Sequence, residues 1–356
     1  MPRKLKIGFA STDWSRSLVG PQGPIPGGAN YIRLQQVRNH ISHASVTGLL
    51  LHHPQRGFGV MDWGDNVHYD CDIIVMQRLM FKDLVEKVGE RSGGPPLIND
   101  LDDWYWGLHE DNHAFKLTHP DHNNDENIDN YRRIIQMSDA VTVSTPFLEE
   151  KMKNDFGIAC VRRIENGVDV ESFRKRHPRP KKTIVGWVGS TSHRSGDLET
   201  VAPFIQNQKW RLHHSGHLDG AAWFADKVGA ARQKVTKTPM YPPHQYCKLS
   251  FQFDIGIAPL NDIPFNHAKS WIKAIEYAAA NIPFVASDLG EYRRLYDQYG
   301  IGRLASTPEE WVQHLTELTD PGIRSREAKR QREITQEHLD VRNMAKRWDE
   351  IFSEFS

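Results

Sequence analysis

Residues 253–289 read FDIGIAPLNDIPFNHAKSWIKAIEYAAANIPFVASDL, and the order of patterns within them decides the fold. Asp254 to Leu260 is an apolar run too short for a helix and contains Pro259. Ser270 to Ala280 has apolar residues at helical spacing and good helix formers, and Pro283 to Ser287 is again a short apolar run. The pattern predicts strand, loop, helix, strand, the repeating unit of a parallel α/β sheet. In such a sheet the loop at a strand's carboxyl end and the first turn of the next helix face the ligand crevice, where unpaired helix N–H groups attract anions. The loop Asn261 to Lys269, which includes Asn266, is therefore a predicted phosphate cradle, with Ser270 at the helix start. Lys269, Lys273 and Glu276 follow at spacings of four and three, along one helix face. That face offers cations to a diphosphate and a carboxylate to a diol. The same residues also describe a solvated face with a Lys–Glu pair worth a few tenths of a kcal/mol.

The segment resembles the donor-nucleotide motif of GT-B glycosyltransferases of the family-4 type. The residues that carry the resemblance are Glu276, Tyr277, Ala278, Ala279, Asn281, Pro283, Phe284, Val285, Ala286 and Ser287. Members with Lys-x-x-Glu-Tyr fit through Lys273, Glu276 and Tyr277. Many members carry an acidic residue eight positions before the glutamate; here that place is Ala268, so its sugar contact is not carried over.

A chain of 356 residues is long for one core and predicts two domains. Lys+Arg and Asp+Glu are both 45, so no net charge steers the chain toward nucleic acid or an anionic membrane. The apolar run Ile7 to Ala10 behind the basic start is too short for a signal-peptide core, and no other run approaches membrane-spanning length. Cys71, Cys160 and Cys247 are far apart and odd in number, which predicts reduced thiols in a cytoplasmic protein.

The N-terminal half alternates strands and helices, the signature of a doubly wound sheet. Lys6 to Ala10 is the first strand. It runs into a Gly- and Pro-rich loop, Ser11 to Asn30, that ends at Pro26-Gly27-Gly28-Ala29-Asn30, followed by the helical spacing Tyr31, Leu34, Val37, Ile41. Gly27 and Gly28 let backbone approach a ligand; by resemblance this loop meets the donor. Val46 to Leu51, Cys71 to Gln77 and Leu97 to Asp100 are further strands, and Arg78 sits at a carboxyl end. After the last of these come Asp100, Asp102 and Asp103 with Trp104 and Trp106. An Asp-x-Asp invites a metal reading, whereas the resemblance implies metal-independent contacts to acceptor or donor sugar, with a tryptophan stacking on the ring. A strand-end cap over buried aromatics is the plainer alternative. His109 to Asn130, dense in Asp, Asn and His, has no metal-ligand spacing and reads as a surface loop that closes over acceptor. Ala140 to Ser144, the helix from Thr145-Pro146 and Val161 to Ile164 follow, then Glu165-Asn166-Gly167-Val168-Asp169 and Phe173, an order that matches the end of the family's N-terminal domain.

The run 174–182, RKRHPRPKK, reads as an interdomain linker, with a nucleic-acid patch as its alternative. The second domain opens with Thr183 to Val188 and Gly189-Ser190-Thr191-Ser192-His193-Arg194. By resemblance Gly189, Ser190 and His193 bind the donor and Arg194 is a cation for its diphosphate, while Ser195-Gly196-Asp197 stands where the family has Lys-Gly, so that Lys269 or Lys273 supplies the second charge. His213, His214 and His217 lie beside a strand, Trp210 to Ser215, whose alternation keeps neighbours on opposite faces and argues against a shared metal. Glu309 to Leu318 is a helix. Val341, Met344, Trp348, Ile351, Phe352 and Phe355 form one apolar stripe on the last helix.

The fold class implied is α/β, with two Rossmann-like doubly wound domains facing a cleft and a C-terminal helix that crosses back. Residues 1–176 form the acceptor-side domain, joined by the helix 338–356, and 177–337 the nucleotide-sugar domain. The function implied is transfer of a sugar from a UDP-, GDP- or ADP-sugar to an acceptor hydroxyl with retention, needing no metal or other cofactor. Arg194, Lys269, Lys273, Asp102 and Asp103 would serve catalysis, and Gly27, Gly28, Gly189, Ser190, His193, Asn266, Ser270 and Glu276 the donor. The acceptor is a glycan, a protein or a modified nucleobase, and nucleic acid enters only as the last. A sugar-nucleotide epimerase and a catalytically silent sugar-binding protein are the alternatives.

Overall fold

Runs such as Ile73–Gln77 (IIVMQ) and Ile255–Ala258 (IGIA) are apolar on both faces, so each needs cover above and below, and both are fully buried strands of mainly parallel sheets. The computed structural model describes residues 3–20, 23–112, 114–122, 126–173, 183–190, 196–205, 210–216, 224–248 and 250–356. It divides into two units. The first comprises Met1–Gly107, Ala114–Asn166 and Val341–Ser356, the second Leu108–His113 and Gly167–Asp340. The expected linker, 174–182, lies outside the described residues. Within the second unit the entering and leaving segments are tied together, because Val168 N–H donates to Leu339 O (3.0 Å) and Val170 N–H to Asp340 Oδ2 (3.4 Å).

The first unit contains β1 (Lys6–Ser11), β2 (Trp14–Gly20), β3 (Gly23–Pro26), β4 (Ala44–His53), β5 (Gly57–Met61), β6 (Val67–His68), β7 (Ile73–Gln77), β8 (Leu97–Leu101), β9 (Ala140–Val143) and β10 (Val161–Arg163). Eight of them make one sheet in the order β10-β9-β8-β7-β1-β4-β5-β6, antiparallel only at β4-β5-β6. The stretch 11–30, expected as a loop, holds the antiparallel pair β2–β3. The helix expected after it is a short α turn, Gly28–Asn30, followed by a π turn, Tyr31–Gln35, and a 3-10 turn, Val37–Asn39, which still bury Leu34 and Val37. Helix Val341–Glu354 places its stripe in this unit's core, with Trp348 and Phe352 each 6.4 Å from the Phe9 ring, centroid to centroid. Burial of each such side chain stabilises the unit by about 1.5–3 kcal/mol.

The second unit contains β11 (Ile184–Val188), β12 (Arg211–Gly216), β13 (Val235–Pro239), β14 (Ile255–Ala258), β15 (Phe284–Ser287) and β16 (Arg303–Ala305), all parallel, in the order β13-β12-β11-β14-β15-β16. The deciding stretch becomes β14, a turn of helix Pro264–His267, helix Ile272–Ala279 and β15. In both sheets the strand order reverses beside the first strand: β1 sits between β4 and β7, and β11 between β12 and β14. Ligands of doubly wound sheets bind at the carboxyl ends of strands at such a reversal. Those ends are Ser11–Asp13 with Arg78 in one unit, and Val188–Gly189 with the loop after β14 in the other.

Candidate functional site

In the second unit, helix Ile272–Ala279 is fixed against β11 and β14 by Tyr277, whose hydroxyl accepts from Val188 N–H (3.1 Å) and donates to Ile257 O (3.1 Å). This brings Lys273 to the end of β11, where its Nζ donates to Val188 O and stands 5.0 Å over the Trp187 ring. Gly189 follows at φ 156°. A Cβ there would approach the Trp187 ring to 2.8 Å and Lys273 Nζ to 3.2 Å, so the turn admits only glycine. One turn on from Lys273, the Glu276 carboxylate has no hydrogen-bond partner among the described residues. Burial pushes its carboxyl up to about 7, against the pull of Lys273. A carboxylate one turn from an ammonium that itself lies against a glycine turn suits a ligand with a diol and an anionic group.

Two expected placements in this region are corrected, those of Lys269 and Ser270. Lys269 is not on the helix face: the helix begins at Ile272 after Trp271, and the Lys269 ammonium stands over the Phe265 ring at 4.2 Å. Ser270 is correspondingly one residue ahead of the N-cap, and buried. Asn266 Nδ2 donates to Asp197 Oδ1 (2.6 Å) and to Asn261 O (2.9 Å), so its amide protons are engaged within the loop. Asp197, in the stretch that stands in place of the family's Lys-Gly, also accepts from Asn261 N–H (2.9 Å) and so clamps the loop. Arg194 and His193 lie outside the described residues. Ser190 follows Gly189 directly.

In the first unit, Arg78 ends β7 in the left-handed region (φ 56°). Its guanidinium meets Asp13 Oδ1 and Asp103 Oδ2, both at 3.1 Å, beside the Tyr105 ring. Burial opposes the Arg78 charge, but Asp13, the Tyr105 hydroxyl and Asp103 more than offset it and hold its pKa well above the usual value. Asp102 accepts from Asn166 Nδ2 (3.0 Å), and burial raises its carboxyl despite Arg33. Gly27 approaches Asp13 so closely that a Cβ would fall 2.2 Å from its carboxylate, whereas Gly28 has open space. Asp13 and Arg78 thus join Asp102, Asp103 and Gly27 around the reversal point. Asp100 is fully buried with Arg33 and also accepts from Thr142 Oγ1 (2.8 Å) and Gln77 Nε2 (3.2 Å), which removes it from any sugar contact. The tryptophans are not free platforms either, since Trp104 is buried and Trp106 stacks on Tyr131 at 6.0 Å.

His213 and His214 point to opposite faces of β12: His213 bonds Thr236 Oγ1 (2.8 Å) and Ser215 Oγ (3.0 Å), His214 the Gly189 carbonyl (3.0 Å). Among the described residues no group of three His, Cys, Asp or Glu is arranged to hold a metal ion. The sequence reading missed Arg33, Asp13 and the role of His214. Only Arg33 carried a signal, as a charge placed among apolar positions.

No protein-family model matches the chain. The glycosyltransferase TuaH of Bacillus subtilis, assigned to teichuronic acid biosynthesis, is 26% identical over 181 residues, which is 47% of this chain and 45% of that protein. The match thus spans about half the length of this relative. Among solved structures, a sucrose-phosphate synthase of Thermosynechococcus elongatus superposes over 99% of both chains with a TM-score of 0.68 at 14% identity. HepE of Anabaena, in complex with UDP and glucose, covers 98% of this chain and 100% of its own at 0.63 and 14%. The fold is GT-B. TarM shares it over 79% of this chain and 54% of its own, with a TM-score of 0.57 and 15% identity.

Proposed function

We propose that the chain is a glycosyltransferase that passes a sugar from a nucleoside-diphosphate sugar to an acceptor hydroxyl, with retention of configuration and without a metal. The observation that carries this reading is Glu276. It is a desolvated carboxylate with no hydrogen-bond partner among the described residues, held on the helix that packs against the end of β11. An ionised carboxylate only accepts, as the two hydroxyls of a ribose require. Lys273, with Arg194 by resemblance, meets the diphosphate, and the Gly189–Ser190 turn lies against it. Departure of an anionic diphosphate is the main barrier, so preset cations and N–H groups supply much of the catalysis. The leaving phosphate itself takes the acceptor proton, so no protein nucleophile is needed. Asp102, Asp103 and Arg78 contact the acceptor, a hydroxyl of a glycan, a protein or a modified nucleobase. The UDP complexes of HepE support UDP as the first nucleotide to try, with GDP and ADP as its competitors. No described helix is long and apolar enough to cross a membrane. Three unpaired cysteines, with the Cys71 thiol pushed up to about 11 by burial, support work in the reducing cytoplasm.

Thermal unfolding with UDP, GDP and ADP tests the reading. A nucleotide at 100 times its Kd stabilises the folded protein by about 2.7 kcal/mol, and the sugar nucleotide of the one that does so should turn over, with or without a chelator. Absence of any nucleotide-dependent shift defeats the proposal; a rate abolished by chelation defeats its metal-free part.

A further inference from the structure

Helix Gly290–Tyr299 carries the chain from β15 to the edge strand β16 and stops at a glycine cap: Gly300, at φ 61°, donates its N–H to Tyr296 O (2.7 Å). The carbonyl of the same cap accepts from Arg330 Nη1 (2.7 Å) on helix Pro321–His338. A Cβ on Gly300 would fall 2.9 Å from Arg330 Nη2, so the close approach needs glycine. This corner, β16 and helix Pro308–Glu317 line a cavity of about 510 Å³, within the range of small-molecule sites, about 300–1,000 Å³. Its walls lie wholly in the second unit and share no residue with Gly189, Lys273 or Glu276.

The walls carry three guanidinium groups and four carboxylates, a near balance that favours neither phosphate nor a divalent cation. Arg303 holds Glu317 through Nη1 and Glu327 through Nε and Nη2, which fixes both carboxylates in place. A carboxylate has about four lone-pair sites, so each keeps acceptor capacity. Arg330 is exposed and engages one carbonyl, which leaves it further donors. Gln331 is 2% exposed, and its side-chain oxygen has no hydrogen-bond partner, a cost that a ligand hydroxyl would remove. Tyr296, on the same cavity, is 42% exposed and offers an aromatic ring. Fixed donors and acceptors together suit hydroxyls, which do both, and an exposed ring suits the apolar face of a pyranose.

We propose that this cavity is a second, non-catalytic site for a neutral saccharide: Tyr296 packs on a sugar face, Arg330 donates to hydroxyls, and Gln331 with the two glutamates accepts from them. The saccharide is a glycan chain or a free sugar. The site stands apart from the donor-site reading, because no residue is common to the two.

Calorimetry with maltotriose, cellotriose and chitotriose, each beside its monosaccharide, tests it. At least one trisaccharide should bind saturably to the wild type. A trisaccharide that binds more tightly than its monosaccharide identifies a glycan chain as the ligand, and equal affinities a free sugar. Tyr296→Ala, a change at an exposed position, should weaken that binding about tenfold. Arg330→Met, which keeps the apolar stem without the donors, and Gln331→Met, close in volume without the acceptor, should each weaken it about threefold to tenfold, the size of a hydrogen bond. UDP binding by all three variants should stay within about twofold of the wild type, and Glu276→Gln should leave the saccharide affinity unchanged. Binding of none of the saccharides, affinity indifferent to Tyr296→Ala and Arg330→Met, or displacement of the saccharide by UDP overturns the second site and leaves the donor site standing. A protein that binds a saccharide here but no nucleotide overturns the donor site alone.

Discussion

Arg33 with Asp100 in the first unit and Lys273 with Glu276 in the second are both cation–carboxylate pairs near the reversal of a parallel sheet, but their surroundings differ. Every nitrogen of the Arg33 guanidinium is engaged: with Asp100, with Ile164 O and with Asn166 Oδ1 at 2.8 Å. Both Asp100 oxygens accept further bonds from Thr142 and Gln77. Arg33 and Asp100 are both fully buried. Glu276, by contrast, has only the through-space pull of Lys273, and Lys273 donates to a backbone carbonyl. Burying ions is tolerable when all their hydrogen bonds are made and costly when they are not. The first pair is therefore part of the scaffold, whereas the second holds free energy that a ligand can recover.

The largest expected effect is at the saturated pair. Arg33→Met leaves the Asp100 charge buried without its cation, which should cost the first unit about 3–5 kcal/mol in denaturant unfolding. Arg33→Met with Asp100→Leu should restore most of that, because no ion then remains to be satisfied. A cost below about 1 kcal/mol for the single variant would show that the pair contributes no more than a surface ion pair.

How far each pair could be read from sequence follows from the range of its contacts. Lys273 and Glu276 were legible because residues three apart on one helix are neighbours by geometry alone. Arg33 meets Asp100 and Ile164 across 67 and 131 residues, and no local pattern records that. The same holds for the fold. Short strands such as Ile73–Gln77 were legible because burial on both faces makes them apolar throughout, and the last helix because its stripe is continuous. Helix Pro321–His338 was not legible, since its buried residues, Ala328, Gln331 and Thr335, make no apolar stripe. The β2–β3 pair was hidden in a Gly- and Pro-rich stretch that reads as loop. Lys269 was misassigned because the helix starts after Trp271, a shift of two residues that changes which side chains share its face.

The next effect in size concerns the cation of the open pair. Lys273→Ala should weaken nucleoside diphosphate binding by about 1.5–3 kcal/mol, a charge-assisted contact, and nucleoside binding by much less. Calorimetry with both ligands reads the difference. Losses that match for the two would mean that Lys273 only braces Val188, and the pair would then be as structural as Arg33–Asp100.

The smallest effect, and the most specific, is the proton on Glu276. Its carboxyl is raised by burial from the ordinary 4.5 to about 7 in the folded protein. The folded chain thus holds a proton that the unfolded chain releases between those values, and the stability this gives is lost as pH rises through 7. Glu276→Gln, which never ionises, should accordingly raise the melting temperature of the ligand-free second unit at pH 8 and leave it nearly unchanged at pH 4.5. Binding should respond in the opposite sense. The ionised form is the one that accepts both ribose hydroxyls, so wild-type affinity for the nucleoside, which has no phosphate titrating in this range, should rise about tenfold, ~1.4 kcal/mol, from pH 6 to pH 8. The Gln variant should show a flat profile and bind at pH 8 about 1–2 kcal/mol more weakly. A 2′,3′-dideoxynucleoside already lacks the hydroxyls, so it should bind both proteins alike. If the wild type is flat across this range, or if the dideoxynucleoside loses as much as the nucleoside on substitution, Glu276 does not hold a ribose. The open pair would then be a strained helix face with no ligand to relieve it.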